Sequence, residues 1–159
     1  MSLRLIPLQP GADVARLTDE LVPSFGGDET SAREMLTVTF GLLTADPRPD
    51  PWGCYLAYEG ETPVGTCAFK TAPDPAGTVE IAYMTFPAHE GRGHATAMAG
   101  ELVRIAFAAG ATLPIAHTLP EENASNRALR RNGFAFAGDV VDPEDGPVWR
   151  WEKKPCAGR

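Results

Sequence analysis

The stretch from Thr78 to Gly110 reads TVEIAYMTF, then PAHEGRGHAT, then AMAGELVRIAFAAG. Its opening is rich in β-branched and aromatic residues, which predicts a strand closed by Pro87 and a turn carrying paired glycines. A helix is predicted next, because Met98, Leu102, Ile105 and Ala109 recur at i, i+4, i+7 and i+11, with Gly110 placed as a left-handed residue just past its end. The order is therefore strand, glycine turn, helix. Gly91 and Gly93 leave the backbone open to a ligand, and the first turn of the helix offers unpaired N–H groups at the positive end of its dipole. Such a junction suits an anion, a phosphate above all. Two familiar phosphate binders do not fit. Gly91-Arg92-Gly93-His94-Ala95 lacks the lysine and Ser/Thr of a P-loop and is too short for the three-glycine dinucleotide fingerprint.

Working outward, Leu113 to Thr118 predicts another strand, so the passage makes a strand–helix–strand crossover with the Thr78 and Leu113 strands parallel. After Pro120, residues 121–134 predict a short helix with Glu121 and Glu122 at its start, Arg130 and Arg131 in its last turn and Gly133 past its end. Two strands near Ala135–Val141 and Pro147–Glu152 finish the chain. Upstream, strands at 53–58 and 64–70 flank the turn Glu59 to Pro63, so with the Thr78 strand they form an antiparallel meander. A short first strand spans Leu3 to Leu8. Asp13 is the N-cap of a helix carrying Val14, Leu17, Leu21 and Val22. A second helix is expected to start near Thr30 or Ser31, with Ser31 and Glu34 as a capping box and Met35, Val38 and Leu42 on its packed face. It ends at DPRPDP, where the prolines forbid regular structure.

At 159 residues the chain is one domain's worth, able to bury a core unaided. No apolar run reaches membrane-span length, and MSLRLIPLQP has no secretory h-region, so a cytoplasmic protein is expected, with no membrane partner. The net charge of −7 argues against nucleic acid and is compatible with a cationic amine. Cys54, Cys67 and Cys156 have neither paired nor zinc-ligand spacing, so no disulfide framework and no metal site is indicated.

Glu90-Gly91-Arg92-Gly93-His94-Ala95 resembles motif A of the GNAT acyltransferases, Q/R-x-x-G-x-G/A, and Ala124-Ser125-Asn126-Arg127-Ala128-Leu129-Arg130-Arg131-Asn132-Gly133-Phe134 resembles the family's second signature at the expected distance. The resemblance is specific from Thr78 to Phe134 and lies closest to the ribosomal-protein N-terminal and amine acetyltransferase branch. It implies a GNAT domain over 1–159: an α/β fold whose central sheet of about six to seven strands is mixed, mostly antiparallel, with helices on both faces. It implies acetyl-CoA as co-substrate, its pyrophosphate held by Gly91, Arg92, Gly93, His94, Ala95 and Thr96. Asn123, Ser125 and Asn126 would contact the rest of the cofactor. The acceptor would be a primary amine of a small molecule or peptide, chosen by the early helices. A homodimer is compatible with this reading.

The resemblance also implies an oxyanion donor on the main chain of the Thr78 strand, where a bulge splays it from the Leu113 strand; Tyr83, Met84, Thr85 and Phe86 cover the position. Amide formation needs a base to take the ammonium proton. Two candidates arise. Glu80 is a carboxylate in an otherwise apolar strand, a setting that tends to raise its pKa, and His117 ends the next strand with a suitable intrinsic pKa. Three positions depart from the family. Glu90 replaces Gln or Arg, Asn123 lies two rather than three residues before Ser125, which puts Glu122 in that place, and Leu129 stands where many members carry a tyrosine acid. The missing tyrosine keeps a second reading open, a catalytically silent acyl-CoA-binding or regulatory domain; a third is a partner-binding α/β domain without cofactor.

Overall fold

The predicted strands join into one seven-stranded sheet. The computed structural model describes residues 2–155, so Cys156 lies outside the described residues. In chain order the elements are β1 (Arg4–Pro7), α1 (Val14–Leu21), a 3-10 turn (Val22–Phe25), α2 (Glu29–Ala45), β2 (Cys54–Glu59), β3 (Thr62–Phe69) and β4 (Thr78–Thr85). A second 3-10 turn (Pro87–His89) leads to α3 (His94–Ala108), β5 (Leu113–Thr118), α4 (Ala124–Arg131), β6 (Ala135–Asp142) and β7 (Gly146–Glu152). The spatial order is β1-β2-β3-β4-β5-β7-β6. Among the described residues only β4 and β5 run parallel, joined by the α3 crossover that parallel strands require. The expected mixed, mostly antiparallel sheet is what the chain forms.

Side chains alternate across each strand, so the sheet has two apolar faces and each takes its own helices. On one, Met98, Leu102 and Ala106 of α3 and Leu129 of α4 press on Phe69, Val79, Ile81 and Trp151. On the other, Leu21 of α1 and Ala32, Leu36 and Leu43 of α2 press on Leu56, Tyr58 and Phe86. A fully buried leucine of this kind contributes about 1.5–3 kcal/mol through burial alone.

Two helices differ from their sequence expectation. The N-cap of α2 is Asp28, whose carboxylate accepts from the Ser31 amide at 3.1 Å and the Ser31 hydroxyl at 2.7 Å, so Ser31 is held by a cap rather than being one. The packed face of α2 is Ala32, Leu36 and Leu43, while Val38 and Leu42 are 63% and 60% exposed. The helix carries two neighbouring apolar stripes, and the sheet takes the one on which small Ala32 permits close approach. In α3 the buried stripe is Met98, Ala99, Leu102, Val103 and Ala106, leaving Ile105 half-buried and Ala109 exposed; Gly110, at φ +97°, does end the helix left-handed.

The feature that positions a site is the opening between β4 and β5. They pair only at Thr78 with Leu113, Val79 with Pro114 and Glu80 with Ile115. Beyond that, β4 follows β3 as far as the Thr85–Gly65 pair and β5 follows β7 to the Thr118–Trp149 pair, so the two diverge. No bulge in β4 is involved. The β3–β4 register is unbroken, and the shifts in the sheet lie at Ala57/Tyr58 and Phe136/Gly138. Within β4 the residues bonded to β3 are the even-numbered ones, since Lys70 N–H donates to the Glu80 carbonyl and Phe86 N–H to the Val64 carbonyl. By the alternation of an antiparallel ladder, the main-chain groups of Ile81, Tyr83 and Thr85 point into the opening.

Candidate active site

Gly91 and Gly93 have φ of +77° and +84°, a region that L side chains avoid. That geometry turns the chain sharply into α3 with Gly93 as its N-cap. Glycine offers no side-chain cap, so the N–H groups of the first turn stay open at the positive end of the helix. They face a cleft of about 840 Å³ whose walls are Tyr83 to Thr85 of β4, the glycine loop with Glu90, the first turn of α3, and α4. From α4 the cleft receives Arg127 and Arg131, spaced i, i+4 on one face. The Asn132 amide ties the two helices, donating to the carbonyls of Thr96 at 2.9 Å and Ala128 at 2.8 Å.

Of the residues expected at the cofactor, Tyr83, Met84, Thr85, Gly91, Gly93, His94, Ala95, Thr96 and Ser125 line this cleft. Four do not. Phe86 is fully buried against Phe25 on the α1–α2 face, and Arg92 is exposed on the outside of the loop. Asn123 is the N-cap of α4, its side chain accepting from the Asn126 amide at 3.0 Å. The Asn126 side chain is buried and donates to the Glu121 carbonyl, which holds the segment entering α4. Glu122 pairs with Arg130 at 2.7 Å and is occupied there. His94 lies 2% exposed with Nδ1 unpartnered; burial holds it below its ordinary pKa, against the pull of Glu59 and with smaller help from Arg92.

On the far side of Tyr83 lies a second cavity of about 400 Å³, in the opening between β4 and β5, and it holds both candidate bases. His117 Nδ1 is 3.1 Å from Glu80 Oε2, within ion-pair distance but not aligned as a hydrogen bond. Both side chains are largely buried, at 15% and 20% exposed. Lys70 Nζ approaches the same carboxylate at 3.4 Å. Burial opposes the ammonium charge, but Glu80, with Asp145 and Asp142 beyond, holds Lys70 above its usual pKa. Glu80, Ala82 and Met84 share the strand face that looks toward α2.

A third cavity, about 390 Å³, opens on that face between α2, β3 and β4. All three cavities are lined by Tyr83, which is their meeting point. Its hydroxyl donates to the Ser125 carbonyl at 3.1 Å, bridging β4 to α4, and burial pushes the phenol well above its ordinary pKa. Leu129 faces away, fully buried in the core, so the position aligned with the family tyrosine does not look into the site at all. The thiols of Cys54 and Cys67 line the third cavity as free thiols, and burial raises the pKa of each, that of Cys67 most. Sequence reasoning missed Arg127, Arg131, Lys70 and the Tyr83 hydroxyl; the i, i+4 arginine spacing was the one readable signal among them.

A sequence profile of the acetyltransferase (GNAT) domain matches residues 2–135. Among solved structures, the fold is similar to the RimL ribosomal L7/L12 alpha-N-protein acetyltransferase in complex with coenzyme A, at 17% identity and TM-score 0.69, covering 97% of this chain and 94% of that one. It is similar also to the aminoglycoside acetyltransferase AAC(6')-Ib with coenzyme A, at 19% identity and TM-score 0.68 over 96% and 95% of the two chains. The microcin C7 self-immunity acetyltransferase MccE, with acetyl-CoA and AMP, matches at 14% identity and TM-score 0.66 over 96% and 92%. Curated protein sequences give no match. With the profile spanning most of the chain and the glycine loop, parallel crossover and opened sheet in place, the chain belongs to the GNAT acetyltransferase family.

Proposed function

We propose that this enzyme transfers an acetyl group from acetyl-CoA to a primary amine of a small molecule or peptide, by direct attack with general-base assistance. One observation carries the reading: the Glu80–His117 pair sits in a cavity that meets the anion-binding cleft at Tyr83. The residues of that cleft suit a diphosphate, with uncapped first-turn N–H groups, two glycines and the guanidinium groups of Arg127 and Arg131. Coenzyme A bound to two structural neighbours and acetyl-CoA bound to a third support the same assignment. Acetyl-CoA would supply the acyl group as a thioester.

Glu80 takes the proton of the incoming ammonium, and His117 at 3.1 Å shares the positive charge that arrives. The free amine then forms the C–N bond. The main-chain N–H of Tyr83 or Thr85, turned into the opening, receives the oxyanion. The thiolate released from acetyl-CoA would take up the proton that the nitrogen still has to lose; with Leu129 in the core, the hydroxyls that line both the cleft and the second cavity are those of Tyr83 and Ser125. Direct transfer is favoured over an acyl-enzyme because burial keeps Cys54 and Cys67 as thiols, and the thiolate is the nucleophile.

Amine-dependent thiol release from acetyl-CoA is the test, run beside a thermal-shift titration. A ligand present at one hundred times its Kd stabilises by about 2.7 kcal/mol. Stabilisation without thiol release over a broad amine panel would refute the transfer reading; absence of both would refute the cofactor assignment.

A further inference from the structure

The cavity between α2 and the sheet has a mixed character that bears on the acceptor, given the transfer reading above. Its walls are mostly apolar: Leu42 of α2, Ala68 of β3, and Ala82 and Met84 of β4, with Thr39 and Thr66 among them. Leu42 and Met84 are 60% and 41% exposed, and Val38, one turn before Leu42, is 63% exposed, so the apolar surface continues from the wall onto the mouth. These are the side chains that α2 does not use in packing on the sheet. The mouth also carries charge. Arg48 is answered by Asp46 at 3.5 Å and donates to the Phe69 carbonyl, and Lys70 is answered by Glu80. Glu144 has no cationic partner among the described residues. The site therefore offers apolar walls, an unanswered carboxylate at the rim and a carboxylate–imidazole pair in the adjoining cavity. Polyhydroxylated cations would leave most of their hydroxyls unpaired against Leu42, Ala68, Ala82 and Met84, at a cost that an apolar body avoids.

We infer that the acceptor is a monoamine carried on an apolar body, an arylalkylamine or an amine-ended apolar chain, rather than a polyhydroxylated polycation. The apolar body lies against Leu42 and Met84, and the ammonium end reaches through toward Glu80, past Ala82 and Tyr83, which line both cavities. Glu144 contributes attraction at the mouth, where salt screens it.

Phenethylamine and kanamycin are the probes, with the full-length enzyme and acetyl-CoA. The expected result is a kcat/KM for phenethylamine at least tenfold above that for kanamycin. Leu42→Gln, a change at a largely exposed side chain, should raise the KM for phenethylamine by roughly three- to tenfold, about what burying one or two methylenes contributes, and leave acetyl-CoA affinity unaltered. Glu144→Gln should raise it less, and only at low salt. Faster turnover of kanamycin, or a Leu42→Gln enzyme with unchanged phenethylamine KM, overturns the inference while leaving acetyl transfer standing. If neither amine is turned over, phenethylamine must still raise the melting temperature of the CoA complex, and Leu42→Gln must abolish that rise. Loss of turnover alone then counts against the transfer reading, and loss of the melting shift counts against the inference.

Discussion

From Tyr83 to Thr96 a continuous run of chain makes most of the cleft proposed for the cofactor, whereas the cavities beyond Tyr83 draw on α2, β3, β4, β5 and the β6–β7 turn. The first is built largely from main chain. Its working parts are N–H groups held by helix geometry and by two glycines at positive φ, so a short motif can specify it. The second is built from side chains that different elements bring together, among them Glu80, His117, Lys70 and Glu144. A main-chain site tolerates almost any neighbour but no extra atom. A side-chain site tolerates drift in its walls but not the loss of one charged group. Substitutions on the two sides should therefore fail in different ways.

The largest contrast is expected at Gly93. Gly93→Val places a β-branched side chain at φ +84°, on the surface where the phosphates would lie. Acetyl-CoA binding measured by calorimetry should fall by more than about a hundredfold, which corresponds to about 2.7 kcal/mol. Unaltered affinity in a variant with native circular dichroism would remove the cofactor from this cleft.

Next comes Glu80→Gln, which should keep acetyl-CoA affinity while lowering kcat/KM by roughly 10²–10⁴, the usual worth of a general base. The deficit should narrow as pH rises, because an amine that is already neutral needs no base. The 3.1 Å contact sharpens this further: Glu80→Gln and His117→Ala combined should cost much less than the product of their separate effects. Full multiplicativity would mean that the two side chains act apart, and retained activity in Glu80→Gln with loss in His117→Ala would reverse their roles.

Smaller effects belong to the arginines of α4. Arg127→Ala and Arg131→Ala should each weaken acetyl-CoA about two- to fivefold at low ionic strength, as hydrated charge pairs do. A titration in 1 M salt should erase the difference; a deficit that survives salt would indicate a packed, direct hydrogen bond instead.

Tyr83→Phe probes the point where the two regions meet. Loss of its bond to the Ser125 carbonyl should cost about 0.5–1.5 kcal/mol in urea unfolding, and acetyl-CoA affinity should move less than kcat. An unchanged kcat would confine Tyr83 to tying β4 to α4.

What the sequence reveals follows the same division. The strand–turn–helix of Thr78 to Gly110 and the α4 signature are local patterns, and the structure forms both where they were expected. Glu80 and His117 were legible because a charged and a titratable residue stood in apolar strands, but their contact depends on the β4–β5 register, which no local pattern contains. In α2 the sequence offers two apolar stripes, and only the position of the sheet decides that Leu36 is buried while Val38 and Leu42 are not. Asn123 and Asn126 looked like ligands because polar residues before a helix can serve a site or a cap; here one caps and the other pins the chain. Leu129 belonged to the core because it falls on the same face of α4 that meets Trp151.

The divergence of β4 from β5 has a consequence for the integrity of the sheet. Past Glu80, the N–H and C=O groups of Ile81, Tyr83 and Thr85 form an edge in the middle of a seven-stranded sheet, with β3 still bonded behind it. An ordinary outer edge recruits whatever extended chain can reach it. This one is enclosed by α3, α4 and β5 rather than open to solvent along its length. The fold thereby turns the usual liability of an unpaired strand into an address: main-chain donors and acceptors held open inside the molecule, beside the free N–H groups of a helix end.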